Sequence, residues 1–273
     1  MNNHIGNFIA QRRKDLGYTQ QNLAEKLNIS FQAISKWEKG AAAPDISLIP
    51  QLAYILNTTV DAMVGYSHMP FTDYEEKYRK DEYYWGIVPN RLCYEIMKLR
   101  PPVKPYRVLD IGCGEGKDAL FLAKNGYAVT AFDIADAGIE KAKELARRNH
   151  VEIDFFQANV NEYMPDTAFD IVFSSGVLHY ILLDKRKPFF DRLKECTSTG
   201  GLNVLNVFVA KPFIGIAPDS EEAERLVEPW YSGELANYYH DWLFHKNEEA
   251  IFDCNSGGIP HKHCMDILIA EKM

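Results

Sequence analysis

The 273-residue sequence predicts two domains: an all-α bundle, then an α/β domain whose mostly parallel sheet ends in an antiparallel C-terminal strand. Three observations carry this. The first 66 residues hold only short apolar repeats at helical spacing, each bounded by a capping residue or a glycine. From Arg107 onward, apolar strands alternate with amphipathic helices. Between the first of these strands and its helix stands the glycine-rich run VLDIGCGEG, Val108–Gly116. A content of 47% hydrophobic and 25% charged residues is enough to fill two cores.

In the first domain, Ile5, Phe8, Ile9 and Leu16 share one helical face, and Gly17 ends that helix. Thr19 caps a second helix that turns Leu23, Ala24 and Leu27 inward, and Asn28 turns the chain. Ser30 offers a cap oxygen to a third helix, Phe31 to Lys39, which Gly40 stops. Asp45 caps a fourth carrying Ile46, Ile49, Leu52, Ala53 and Leu56, and Val60 to Val64 begins a fifth. The run from Thr19 to Leu56, with ISKWEKG and Pro44 four residues beyond it, resembles the Cro-repressor-type (XRE) helix-turn-helix family of bacterial regulators. The resemblance implies DNA binding, with the third helix in the major groove and its first residues on base edges. Phe31, Gln32, Ser35 and Lys36 are then the reading residues, Gln20 and Arg12 hold the backbone, and Trp37 belongs to the core. The alternative is a bundle that only dimerises, because charge gives DNA binding little support. Six basic residues (Arg12, Arg13, Lys14, Lys26, Lys36, Lys39) stand against five acidic ones (Asp15, Glu25, Glu38, Asp45, Asp61), a balance of +1 that leaves −9 for the rest of a chain of net charge −8.

The acidic remainder repels polyanions, so small molecules are the expected substrates there. Residues 1–66 are read as the helix-turn-helix domain, 67–100 as a linker and lid segment, and 101–273 as the α/β domain, with the linker proper at Ser67 to Thr72. The lead stretch from Tyr74 to Leu99 contains KYRKDEYYWGIVPN and a helix carrying Leu92, Ile96 and Leu99. Its Trp-Gly segment resembles those that precede the binding loop in several small-molecule methyltransferases, which implies lid and ligand-carboxylate contacts for Tyr84, Trp85 and Arg91. For Tyr83 and Tyr84, packing against the sheet is the competing role.

After strand Arg107 to Ile111 and the glycines comes a helix ending at Lys124 and Asn125, with Gly126 as its left-handed cap. The next strand ends in Asp133, 19 residues after Gly114, where an acid accepts hydrogen bonds from a ribose. Two nucleotide-type cofactors share this geometry, and the glycine spacing separates them. A dinucleotide fold uses GxGxxG to set a helix N-terminus on pyrophosphate. The spacing GxGxG, with an acid just before it, suits S-adenosyl-L-methionine, which has no phosphate but carries an ammonium that Asp110 can meet. Gly112, Cys113, Gly114 and Gly116 line the methionine part, and Asp133 with Ile134 the ribose. Asn159 and Val160 follow the third strand, where similar methyltransferases often have an Asp that bonds the adenine amine; an Asn carbonyl can accept the same bond, and Ser174, Ser175 and Val177 are expected to close the far side. Further elements are expected as a helix Asp136 to Asn149, strands Ile153 to Gln157 and Phe169 to Phe173, a helix around Phe189 to Cys196 and a strand Leu202 to Val209.

Together with VLDIGCGEG, the segments KNGYAVTAFD, FSSGVLHYI and SGELANYYHDW, and a two-stranded finish, resemble the tellurite-resistance and thiopurine methyltransferase group within the class I, Rossmann-like methyltransferases. The resemblance runs from about Tyr83 to the end and implies methyl transfer to small oxyanions or soft nucleophiles of tellurium, selenium or sulfur. It also implies basic and histidine residues near the C-terminus. Here His261, Lys262 and His263 occupy that place, without the family's arginines. His261 and His263 project to one strand face and join His179 as the catalytic candidates, although His179 is read equally as a packed ring. No metal centre is expected, because Cys264 next to His263 converges poorly with the two imidazoles. SSGVLHY stands where an amino-methylating DNA enzyme has DPPY or NPPY, and no Pro-Cys pair marks cytosine chemistry.

The expected partners are a small-molecule methyl acceptor, DNA through the first domain, and a second copy in a homodimer. No membrane association is expected. The five cysteines form no CxxC pair and are read as reduced thiols of a cytoplasmic protein. The alternative function is a transcriptional repressor that senses S-adenosylmethionine with little or no turnover.

Overall fold

A computed structural model describes residues 4–56, 58, 60, 63, 74–215, 228–255 and 259–273. The expected linker Ser67 to Thr72 lies outside them. The chain divides into two compact units, Met1–Met69 and Pro70–Met273.

The first unit contains α1 (His4–Asp15), α2 (Gln20–Leu27), α3 (Phe31–Glu38) and α4 (Ile49–Ile55), with Val60 and Met63 also helical. Leu23, Leu27, Ile34, Trp37, Leu52 and Leu56 close its core. Thr19 and Asn22 form a reciprocal capping box on α2, and Asn28 takes the left-handed turn between α2 and α3 at φ 54°. Two local expectations need correction. Ser30 stands at the N-cap of α3 but its hydroxyl makes no cap bond. Asp45 caps a short 3-10 turn, Ile46–Leu48, ahead of α4, which rotates Ile46 out to 86% exposure. A 3-10 turn advances three residues per turn, so the 3.6-residue periodicity that placed Ile46 inside does not apply there.

The second unit is a seven-stranded sheet in the order β3-β2-β1-β4-β5-β7-β6. The strands are β1 (Arg107–Ile111), β2 (Ala128–Asp133), β3 (Asp154–Gln157), β4 (Phe169–Ser174), β5 (Thr197–Phe208), β6 (Leu243–Cys254) and β7 (His261–Glu271). The first five run parallel, and β7 is antiparallel to both β5 and β6. Helices α5 (Tyr74–Tyr78), α6 (Arg91–Leu99), α7 (Lys117–Lys124), α8 (Asp136–Arg148), α9 (Leu183–Cys196) and α10 (Glu234–Asn237) complete the unit. Two apolar clusters cover the two faces of the sheet, which is why β1 and β4 read as unbroken apolar runs.

The C-terminal elements are longer than the sequence suggests. Helix α9 starts at Leu183, six residues before Phe189, because its first turn is polar and Pro188 sits inside it. Strand β6 starts at Leu243: as an exposed edge strand it lacks the one-sided alternation that announces a half-buried one. Among the described residues no helix is long and apolar enough to cross a membrane.

Candidate cofactor and acceptor site

The carboxyl ends of β1, β2 and β4 meet beside the glycine loop, where open parallel sheets bind their ligands. Gly112, Gly114 and Gly116 all adopt positive φ (74°, 52° and 83°), the left-handed region that side chains other than glycine rarely enter. The loop is laced to the tip of β2. The amides of Gly112 and Cys113 donate to the carbonyl of Phe132 at 2.8 and 3.0 Å, and Gly114 N–H donates to Asp133 Oδ2 at 2.9 Å. Asp133 Oδ1 accepts the amide of Ala135 at 2.9 Å. A Cβ on Gly112 would stand 2.0 Å from Val177 Cγ2, and one on Gly116 2.6 Å from Ala142 Cβ. Bare backbone is thus required on both sides of the loop.

Asp110 is the feature that most strongly marks a ligand. Its side chain is buried, and Oδ2 has no hydrogen-bond partner among the described residues. Burial, and then the neighbouring Asp118 and Asp133 carboxylates, push its pKa well above the ordinary carboxylate value, against the pull of Lys117 and an Ala119 amide. A buried acceptor left unmatched costs free energy unless a ligand completes it.

The lead segment lies over this loop. Lys141 on α8 bonds Glu115 Oε1 at 2.6 Å and the carbonyls of Lys80 and Glu82 at 2.7 Å each. Glu115 Oε2 also accepts the amide of Tyr84 at 2.7 Å. Tyr78 is buried, and its hydroxyl stands 2.8 Å from where a Cβ of Gly114 would be. Burial, followed by the Asp133 charge, raises its phenol pKa well above the ordinary value. Trp85 is 46% exposed and packs on Tyr74 and Tyr84, and Arg91 is exposed at the start of α6. Asn90 caps α6 and ties it to the loop after β4. Its amide donates to Asp118 Oδ1 at 2.6 Å, while its side chain and that of Asn206 both donate to Ser175 Oγ at 2.9 Å.

The remaining candidates lie nearby or further along the sheet edge. Cys113 and Val160 are buried, and Ile134 offers its carbonyl to Gln157. Asn159 is buried with Oδ1 accepting the Asn161 amide, and Ser174 Oγ donates to the carbonyl of Ile111. His179 packs at a tilt against Tyr180 and edge-on against Phe208, whose ring also meets His263, and both ring nitrogens of His179 are shielded from solvent. The three histidine candidates are therefore brought together around Phe208. In the helical unit, Phe31, Gln32 and Lys36 are exposed on α3 and Ser35 is half-buried. Gln20 donates instead to Glu38 Oε2 at 2.8 Å, a carboxylate that also takes Arg13 at 2.6 Å.

Sequence reasoning missed Tyr78, Asn90, Glu115, Asp118, Lys141 and Asn206. For Asn206 a signal existed, a polar residue inside the apolar strand LNVLNVF. The others act across elements and leave no mark in local spacing. A cleft of about 310 Å³ lined by Arg107, Ala128, Asp154 and Phe169 opens at the opposite, amino ends of the strands and plays no part in this site.

The strand order, the glycine turn and the two acids define the class I, Rossmann-like methyltransferase fold. Residues 74–257 match the family described as tellurite resistance protein TehB, about two thirds of the chain, and residues 9–62 match a helix-turn-helix family. The chain belongs to the TehB family. It is 26% identical over 146 residues, 52% of this chain and 48% of the relative, to a probable S-adenosyl-L-methionine-dependent methyltransferase TehB of Haemophilus influenzae. It is 32% identical over 120 residues, 39% of this chain and 49% of the relative, to a ubiquinone biosynthesis O-methyltransferase of Rickettsia felis. The chain thus spans about half the length of the curated relatives it matches. The crystal structure of TehB from Haemophilus influenzae superposes with a TM-score of 0.60 at 22% identity, covering 73% of this chain and 66% of that one, which establishes the shared fold.

The site fits the cofactor this fold implies. S-adenosylmethionine brings an ammonium for the incomplete Asp110 carboxylate, and ribose hydroxyls that can add to the bonds of Asp133, since a carboxylate has room for about four donors. Gly112, Gly114 and Gly116 keep the loop beside it bare where a Cβ would meet Val177, Tyr78 or Ala142.

Proposed function

We propose that the chain is an S-adenosylmethionine-dependent methyltransferase for a small-molecule acceptor, carried on the same polypeptide as a DNA-binding helix-turn-helix unit. The observation that carries the reading is the buried, incompletely bonded Asp110 beside three positive-φ glycines. When bound, the cofactor supplies an electrophilic methyl group on a sulfonium. What the protein adds is position and dryness, which suffice for an in-line displacement when the acceptor is already nucleophilic.

In this reading Asp110 holds the ammonium, Gly112, Cys113, Gly114 and Gly116 carry the methionine stem, and Asp133 with Ile134 holds the ribose. Asn159 and Val160 border the adenine, and Ser174, Ser175 and Val177 close the pocket. Tyr78 and the strap held by Lys141 and Glu115 exclude water, with Trp85 and Arg91 at its rim. His179, Phe208, His261 and His263 frame the acceptor end. Because its nitrogens are shielded, His179 serves there as a wall rather than as a base. A soft chalcogen nucleophile, such as a thiol or a tellurium or selenium oxyanion, is the acceptor class that TehB resemblance favours. On α3, Phe31, Gln32, Ser35 and Lys36 face DNA.

Formation of S-adenosylhomocysteine across a panel of small thiols and chalcogen oxyanions tests the activity. Turnover with a member of the panel, lost in Asp110→Ala, is expected. Tight cofactor binding with no methyl release from any member would overturn the enzyme in favour of a sensor. Footprinting on the protein's own promoter region tests the helical unit, and a protected site weakened in Gln32→Ala is expected.

A further inference from the structure

Strands β6 and β7 pair so that Cys254 faces His261 and Phe252 faces His263. Residues opposite each other on antiparallel strands share a face, as do residues two apart on one strand. Cys254, His261 and His263 are therefore brought to one side of the hairpin. Cys264, one residue on, turns into the core instead. One ligand atom from each of the three residues lies within 4.8 Å of the others, and all three side chains are half-buried.

We propose that Cys254, His261 and His263 form a binding site for a borderline-soft transition ion of the zinc class, with solvent in the fourth position. Two imidazoles and a thiolate are the donor set such an ion prefers over the oxygen ligands of calcium or magnesium. The surroundings prepare it. His261 Nδ1 lies 2.7 Å from the carbonyl of Ile259, which fixes the proton on Nδ1 and leaves the Nε2 lone pair directed at the cluster. His261 Nε2 and His263 Nε2 are 2.8 Å apart. Without the ion, the His263 N–H donates to that lone pair; with it, the His263 proton moves to Nδ1 and both Nε2 atoms coordinate. Tetrahedral zinc needs its ligand atoms about 3.3 to 3.6 Å apart, so the imidazoles separate by roughly 0.5 Å while the sulfur closes in. Shifts of that size are side-chain rotations. The rings of Phe208 and Phe252 lie against His263 and shield one flank. Binding takes up the ion and releases the Cys254 thiol proton to solvent.

The site sits at the carboxyl end of the sheet, since β7 enters there beside the end of β5. Its test does not depend on methyl transfer. The full chain, freed of metal by chelator, is titrated with Zn2+ by calorimetry and with Co2+ by absorption. The expected result is one equivalent of each per chain, with a thiolate-to-cobalt charge-transfer band and intense visible bands of a tetrahedral site. The band should vanish in Cys254→Ser, and Zn2+ affinity should fall about a hundredfold in Cys254→Ser and at least about tenfold in His261→Gln and His263→Gln. Unchanged circular dichroism and thermal unfolding of the metal-free variants would show that they fold. Substoichiometric binding, or binding that survives Cys254→Ser undiminished, would overturn the site.

Discussion

At the scale of the residue, the chemistry concentrates in Asp110. Its pKa is raised in the folded protein by burial first and by Asp118 next, so the folded state without ligand is penalised as pH climbs above the ordinary carboxylate range. A cationic ammonium favours the charged form, and cofactor affinity should therefore increase as pH rises through that same window. Calorimetric titration at a series of pH values checks this, and Asp110→Asn should flatten the profile. Glu38 shows the opposite sign. Burial alone would raise it, yet hydrogen bonds from Arg13 and Gln20 hold it below the usual value. The stability it contributes is present above the ordinary glutamate pKa and lost as pH falls toward the lowered one. Acid unfolding of the helical unit should accordingly begin at higher pH in Arg13→Met.

At the scale of the element, the strand, glycine turn, helix and second strand were legible because each is announced locally: an apolar run, three glycines, a helical period and a terminal acid. Gly116→Ala should cost about 2 kcal/mol or more, since it combines positive φ with a Cβ set 2.6 Å from Ala142, and chemical denaturation measures it. The turns near Ile46 and Ser30 were misread because a 3-10 turn and an unbonded cap leave the same residues in place. The start of α9 was not legible, and neither was its most buried charge. Arg186 is 1% exposed, lies over the ring of Trp230 at 4.2 Å, bonds Glu234 at 2.8 Å and reaches the carbonyl of Glu228. Its partners lie more than forty residues away, so no local pattern could announce them. Arg186→Met should destabilise the unit by about 3 kcal/mol or more, because it strands Glu234 and several carbonyls, and loss of thermal stability would register it. The metal cluster was hidden for a related reason: Cys254 meets His261 only through β-sheet register, whereas the sequence offers Cys264 as the adjacent thiol.

At the scale of the whole molecule, two units with separate cores divide the work expected of the chain. A core truncation such as Leu23→Ala should destabilise the helical unit by about 2 to 5 kcal/mol and reduce DNA retention while leaving cofactor affinity unchanged. The candidate cofactor site could be assembled from sequence because its donors sit at strand ends; the strap of Tyr78, Glu115 and Lys141 required the folded chain. The most direct test of the account is calorimetric titration of S-adenosylmethionine into the full chain and into Asp110→Ala and Asp133→Ala. One site per chain, with affinity reduced more than about tenfold in each variant, is the predicted result. Absence of binding in the unaltered chain, or unchanged affinity in both variants, would contradict it.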